Sequence, residues 1–145
     1  MKGSKKMIRV GGWYWFIQQN KSLQKEEKVG KWMYFSDNED RMIEICKKAI
    51  SEDVCAICKC TDMKLRKCDT GVICFYINGD NYEEHCKVIQ FMMDNGLIKK
   101  TKGGRYYNIS YKFDEQTREN MYGQNFHPQI KLSDFIDLET GKWIK

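Results

Sequence analysis

Two neighbouring stretches decide the fold: Val54-Cys55-Ala56-Ile57-Cys58-Lys59-Cys60-Thr61-Asp62-Met63 and Gly71-Val72-Ile73-Cys74-Phe75-Tyr76-Ile77. Both are rich in β-branched and small apolar residues, and Thr70-Gly71 closes the link between them. They read as buried or half-buried strands. Lys59 lies inside the first run, where a charge is costly unless it has a task or a partner. The chain therefore reads as a scaffold that holds Lys59, with later cations, around one anionic ligand.

Upstream, Trp13-Tyr14-Trp15-Phe16-Ile17 reads as a strand with aromatic residues on both faces, and 29–35 as a second strand. The polar segment 18–28 between them reads as a loop. Ser36 and Glu39 have the spacing of a capping box. Met42, Ile45, Cys46 and Ala49 follow at helical spacing, so a helix to about Ile50 is expected. Downstream, 80–83 is a second cap signature. It opens a helix with a stripe of Tyr82, Cys86, Ile89 and Met93, which Asn95-Gly96 stops. Residues 97–100 read as a short strand or packed loop, 102–105 as a turn and 106–113 as a strand. Segment 114–129 is polar and irregular, 133–138 a further short helix, and Thr140-Gly141 a turn. Residues 1–8 are expected to form a loose tail. There is no internal repeat or linker, so 1–145 reads as one domain. The order strand, strand, helix, strand, strand, helix, strand is α+β: a mostly antiparallel sheet with two main helices packed on one face.

The 145 residues fit one core. At 41% hydrophobic and 31% charged, the composition is that of a soluble globular protein. The longest apolar runs are far too short to span a bilayer, so no membrane partner is expected. Residues 1–6 are basic, but no apolar signal core follows them. Seven cysteines is an odd number, and with no secretion signal a reduced, cytoplasmic setting fits better than a disulfide scaffold. A net charge of +5 favours anionic partners weakly and lacks the basic stripe of a protein that binds nucleic-acid polymers. Plentiful Lys, Asn, Ile and Tyr beside the one proline, Pro128, point to an AT-rich genome, bacterial or viral.

Several motifs in order resemble those of the phosphothreonine lyase superfamily. They are Val29-Gly30-Lys31-Trp32-Met33-Tyr34-Phe35 before a capped helix, Lys59-Cys60-Thr61-Asp62-Met63, Val72-Ile73-Cys74-Phe75-Tyr76, and Ile109-Ser110-Tyr111-Lys112. The Trp-rich start and the Gly-Lys-Trp strand look most like the phosphothreonine-lyase-domain proteins formerly of unknown function. The resemblance runs from Trp13 to Gly123. It implies a fold similar to the cap-binding translation initiation factor, a curved sheet backed by helices. It also implies β-elimination: a lysine takes the α-proton of phosphothreonine, a histidine protonates the leaving phosphate, and cations clamp its oxygens. Carried over, Lys59 falls at the base, Lys31 at the lysine of the preceding strand, Lys112 at a cation after Ser-Tyr, and Arg118 near a phosphate-binding arginine. Tyr76 falls near a substrate-contacting tyrosine. The family histidine position holds Met33, which cannot donate a proton. Loss of an acid removes about 10²–10⁴ in rate, so an anion pocket kept without the reaction is the expected outcome.

On their own chemistry, Lys59 suits either a base with a pKa lowered by burial or a compact phosphate contact; the bland alternative is a strand lysine whose head reaches solvent. Arg105, Lys112 and Arg118 lie in and beyond a tyrosine-rich strand, and arginine is the better phosphate fork. A solvated face is the competing reading for all three, and the favoured one for Arg105. Cys55-x-x-Cys58 has a zinc-knuckle spacing, but Ala56-Ile57 offers no turn, and the cysteines read better as small buried hydrophobes. No metal or other cofactor is expected. His85 reads as a helix-face residue, and His127 as a loop residue with a minor claim on the missing acid role. Trp13, Trp15 and Trp32 read as core before they read as a sandwich for a base.

The expected function is non-catalytic binding of a phosphate-bearing ligand, a nucleotide, a nucleotide signal or a phosphopeptide, by Lys31, Lys59, Tyr76, Tyr111, Lys112 and Arg118. One alternative is a lyase-like eliminase with Lys59 as base. A second is a protein-interaction module or inhibitor from a mobile element.

Overall fold

A computed structural model of the chain describes residues 5–18, 29–79, 81–113 and 130–144. The architecture is α+β, a seven-stranded antiparallel sheet with two long helices on one face. The strands are β1 (Lys5–Val10), β2 (Trp13–Gln18), β3 (Val29–Ser36), β4 (Ile57–Thr61), β5 (Gly71–Asn78), β6 (Ser110–Phe113) and β7 (Ile130–Lys131). Their order across the sheet is β1-β2-β4-β5-β3-β6-β7. The helices are α1 (Glu39–Ser51), the single turn α2 (Met63–Arg66) and α3 (Tyr82–Asp94). No helix among the described residues is long and apolar enough to cross a membrane.

The strand β5 lies at the centre, and both of its faces are covered. Its unbroken apolar run has that cause: Ile73, Phe75 and Ile77 are buried under the helices, and Cys74 and Tyr76 on the other face. Strand alternation divides every strand in this way. The helix side collects Tyr14, Phe16, Trp32, Cys58, Cys60 and Tyr111 with Met42, Ile45 and Cys46 of α1 and Val88, Ile89 and Met92 of α3. The opposite side, called the front face below, has a smaller apolar cluster of Val29, Cys74 and Tyr76 edged by Trp15, Met33, Ile57 and Val72.

Both helices start near their expected caps, with different cap residues. Asn38, not Ser36, accepts from the Arg41 amide, 3.0 Å away. Glu39 does not close a capping box. Its carboxylate accepts from the amides of Met63 (2.7 Å) and Lys64 and so caps α2. In α3 the cap is Asn81, and the helix ends at Asn95-Gly96, with Gly96 at φ +67°. The buried face of α3 is His85, Val88, Ile89 and Met92, rotated from the expected stripe, and Tyr82 is exposed.

Four expectations need correction. Residues 1–8 are not all tail: Lys5–Val10 is strand β1, paired along its length with β2. Gly11-Gly12 is the reason. Both have positive φ, +64° and +84°, as the tight two-residue hairpin turn requires. The run 54–63 is a strand only over Ile57–Thr61, because Asp62 turns the chain by accepting from the Leu65 amide at 3.2 Å. The tyrosine-rich strand is Ser110–Phe113 rather than 106–113. The short helix expected at 133–138 is a 3-10 turn, Leu132–Asp134, that follows β7. All seven cysteines carry reduced thiols, and five are buried. The Cys58 thiol donates to Cys46 Sγ at 3.2 Å, and burial pushes it well above its ordinary pKa.

Candidate functional site

The front face brings together most of the expected site residues that are described. Cross-strand register aligns Trp15, Lys59, Cys74 and Met33 in one row, since Trp15 faces Lys59, Lys59 faces Cys74, and Met33 faces Cys74. The next row runs Ile57, Tyr76, Lys31, Lys112. Lys31, Lys59, Lys112 and Tyr76 therefore come from four different strands to one side of the sheet. Lys59 is half-buried, and Tyr76 is 6% exposed.

Lys59 is enclosed by rings. Its Nζ lies 3.9 Å from the centre of the Trp13 ring, 4.7 Å from Trp15 and 5.5 Å from Tyr76. Lys31 Nζ sits 5.6 Å from the same Tyr76 ring, so that tyrosine lies between two ammonium groups. Such contacts stabilise a cation by ~0.5–2 kcal/mol each, more as water is excluded. Trp15 and Tyr76 lie nearly parallel, 17° apart, with ring centres separated by 6.4 Å. Lys31 and Lys112 are directly opposed on adjacent strands.

A further cation joins from α2. Arg66 lies with Cζ 4.7 Å from the Trp13 ring centre. Its Nε donates to Gly12 O at 2.9 Å and its Nη2 to Gly11 O at 3.3 Å, which fixes the guanidinium against the β1–β2 hairpin. The same corner is held from below. Arg9 Nε donates to Asp62 Oδ2 at 2.5 Å, and Asp62 is fully buried. The Arg9 guanidinium holds the Asp62 carboxyl below the usual carboxylate range.

Not every expected site residue is there. Tyr111, one residue before Lys112, points to the opposite side: it is fully buried under the helices, and its hydroxyl donates to Ile77 O at 3.1 Å. Trp32 parts from Trp13 and Trp15 for the same reason. It is fully buried against His85, Tyr111 and Phe135. Arg105 is an exposed turn residue away from the sheet. Arg118 and His127 lie outside the described residues.

His85 is a buried core histidine. The Trp32 indole N–H donates to Nδ1 at 3.0 Å, so the ring proton sits on Nε2, which donates to Gly79 O at 2.8 Å. Burial lowers its pKa. The pair ties α3 to β3 immediately beneath Lys31 and Met33, the residues on either side of Trp32.

Sequence reasoning missed the role of Arg66 and placed Trp13 and Trp15 in the core. The signal for the tryptophans was their shared parity with a strand whose neighbour carries Lys59, but that neighbour is set by sheet order. No protein-family model matches the chain, and no curated protein matches it.

Proposed function

We propose that the front face binds a phosphate-bearing ligand. One observation carries the reading: the ammonium groups of Lys31 and Lys59, from different strands, lie 5.6 and 5.5 Å from the centre of the Tyr76 ring, on the side of the sheet to which Lys112 also belongs. The ligand phosphate accepts from these ammonium groups, and the rings position the heads of Lys31 and Lys59. Charge-assisted hydrogen bonds of this kind contribute about 1.5–3 kcal/mol each. Replacing Lys59→Met is therefore expected to weaken binding of a phosphorylated ligand by about tenfold or more, with Lys112→Met additive to it. Native mass spectrometry of the purified protein, followed by calorimetric titration of whatever phosphorylated species it carries, makes the comparison. Unchanged affinity in both variants for every phosphorylated ligand would falsify the reading.

A second reading has its own observation. Met33 and Lys59 share a row of the front face, separated by the single strand β5. Two strand spacings put them about 10 Å apart, with Cys74 between them in the row. In the likeness to phosphothreonine lyases these are the acid and base positions. Lys59 would take the α-proton, and the phosphate would leave without a proton donor at Met33. Met33→His supplies one. A gain of β-elimination on a phosphothreonine peptide, read as loss of phosphate with formation of a dehydrated residue, supports a lyase ancestry. No gain leaves the binding reading alone.

A further inference from the structure

Four of the buried cysteines gather on the helix side of the sheet: Cys46, Cys55, Cys58 and Cys60. Cys58 and Cys60 share that side of β4 by strand alternation, and Cys46 of α1 packs against them. The Cys58 thiol donates to Cys46 Sγ at 3.2 Å, Cys60 also donates to Cys46, and Cys55 adjoins Cys58. Cys46, Cys58 and Cys60 are fully buried. Apolar packing accounts for their burial, but it does not call for sulfur against sulfur across two elements. A disulfide holds its sulfurs about 2.05 Å apart, so Cys46 and Cys58 have only about 1 Å left to close. The two thiols are not equivalent. Burial pushes the Cys46 thiol up, but the two thiols that donate to it outweigh burial and bring it down to about 6. Burial and the bond to Cys46 push Cys58 well up. Cys46 is therefore the nucleophile of the pair, since the thiolate is the reactive form, and Cys58 is the thiol that keeps its proton.

We propose that Cys46 and Cys58 form a redox-active dithiol, which a peroxide closes to a disulfide that locks α1 onto β4. The Cys46 thiolate attacks one peroxide oxygen. The O–O bond breaks, the other oxygen leaves as hydroxide and takes up a proton to become water, and Cys46 is left as a sulfenic acid. The Cys58 sulfur then attacks the Cys46 sulfur. The S–O bond breaks, and the hydroxyl leaves with the Cys58 proton as a second water. Two thiols have then lost two electrons and two protons to one peroxide. Hydrogen peroxide is little larger than water, and it reaches the buried pair when α1 lifts from the sheet in local opening. Cys58 already touches Cys46, so the sulfenic acid is trapped before a second peroxide takes it to the sulfinic state. The bond ties α1 to the strand that carries Lys59, from the side of the sheet opposite the front face.

Hydrogen peroxide added in excess to the folded full chain, followed by alkylation of the remaining thiols and peptide mapping without reductant, tests this. The expected product is a monomer with one new link, Cys46 to Cys58, which dithiothreitol separates. Its urea midpoint should rise by on the order of 1 M over the reduced chain, because the bond restricts the unfolded state. Cys46→Ala and Cys58→Ala should each lose both the link and the rise, and Cys60→Ala should keep both. The wild-type map decides the pairing even where a variant fails to fold. A link between any other two cysteines overturns the inference, as does Cys46 carried to sulfinic acid with no link. It is overturned equally if both thiols are recovered reduced from the peroxide-treated chain, or if the linked form is no more stable than the reduced one.

Discussion

Replacing His85→Leu should cost about 2–3 kcal/mol of stability, and the cost divides unequally between two hydrogen bonds. The Trp32 indole N–H is fully buried and would lose its acceptor at 3.0 Å, leaving a donor that water cannot reach. Such a group costs ~1–3 kcal/mol. Gly79 O, at 2.8 Å, is only half-buried, so water can replace His85 Nε2 there at small expense. His85→Gln is the informative partner, because an amide both accepts from Trp32 and donates to Gly79 and should retain most of the stability. The two variants separate further by pH. Burial lowers the folded-state pKa below the ordinary 6.5, so the unfolded chain binds the proton first. Wild-type stability therefore falls as pH drops through about 6.5 towards the lowered value, with a slope of at most ~1.4 kcal/mol per pH unit. In His85→Gln that component is absent. Urea unfolding followed by tryptophan fluorescence between pH 7.5 and 5 reads both effects. A His85→Leu loss under about 1 kcal/mol, or identical pH slopes in wild type and His85→Gln, would refute the assignment of a neutral, doubly bonded His85.

Two further outcomes follow from close contacts elsewhere. A Cβ at Gly30 would lie 2.6 Å from the Tyr111 hydroxyl and against the Lys112 carbonyl, so Gly30→Ala must push β6 away from β3. Overpacking of this kind costs about 1–3 kcal/mol, and phosphate affinity should fall with it because Lys112 moves; unaltered affinity in a destabilised variant would separate Lys112 from the site. Asp62 is held below its ordinary pKa chiefly by Arg9, so its contribution is complete above the unfolded carboxyl pKa near 4 and is lost as pH falls through the lowered folded value. Asp62→Asn should lower the urea midpoint at pH 7, and its gap from wild type should narrow as pH falls below about 4. A gap that does not change with pH would mean that the pairing with Arg9 is not what matters.

Much of this architecture is written locally. The unbroken run of β5 announces a buried strand, and the polar runs 36–39 and 80–83 announce the two helix starts, although Asn38 and not Ser36 caps α1. Strand parity alone also separates Tyr111 from Lys112, since neighbours in a strand point to opposite sides; both cannot line one face, and the sequence already contained that fact. What escaped is non-local or looked like its opposite. Strand β1 reads as tail because Lys5, Lys6 and Arg9 interrupt it, although Gly11-Gly12 was a usable hairpin signal. The ring of aromatics at Lys59 depends on β2 lying beside β4 rather than beside β3, its neighbour in the chain. Arg66 reaches Trp13 only because Asp62 turns the chain after β4, and no spacing in the sequence marks that return.

The interleaved strand order also bears on how the chain assembles. The strands β4 and β5 are close in sequence and pair early at little entropic cost, whereas the β1–β2 hairpin must be brought across the chain, as the 53-residue separation of Arg9 and Asp62 records. Until the hairpin docks, β4 is a bare sheet edge, Ile57-Cys58-Lys59-Cys60-Thr61, of the kind that recruits strands from other molecules. Its one charge is Lys59. A charge in mid-strand is one of the devices by which a sheet edge resists pairing with other molecules, so Lys59 would serve an undocked β4 in a way that has nothing to do with Trp13 and Trp15.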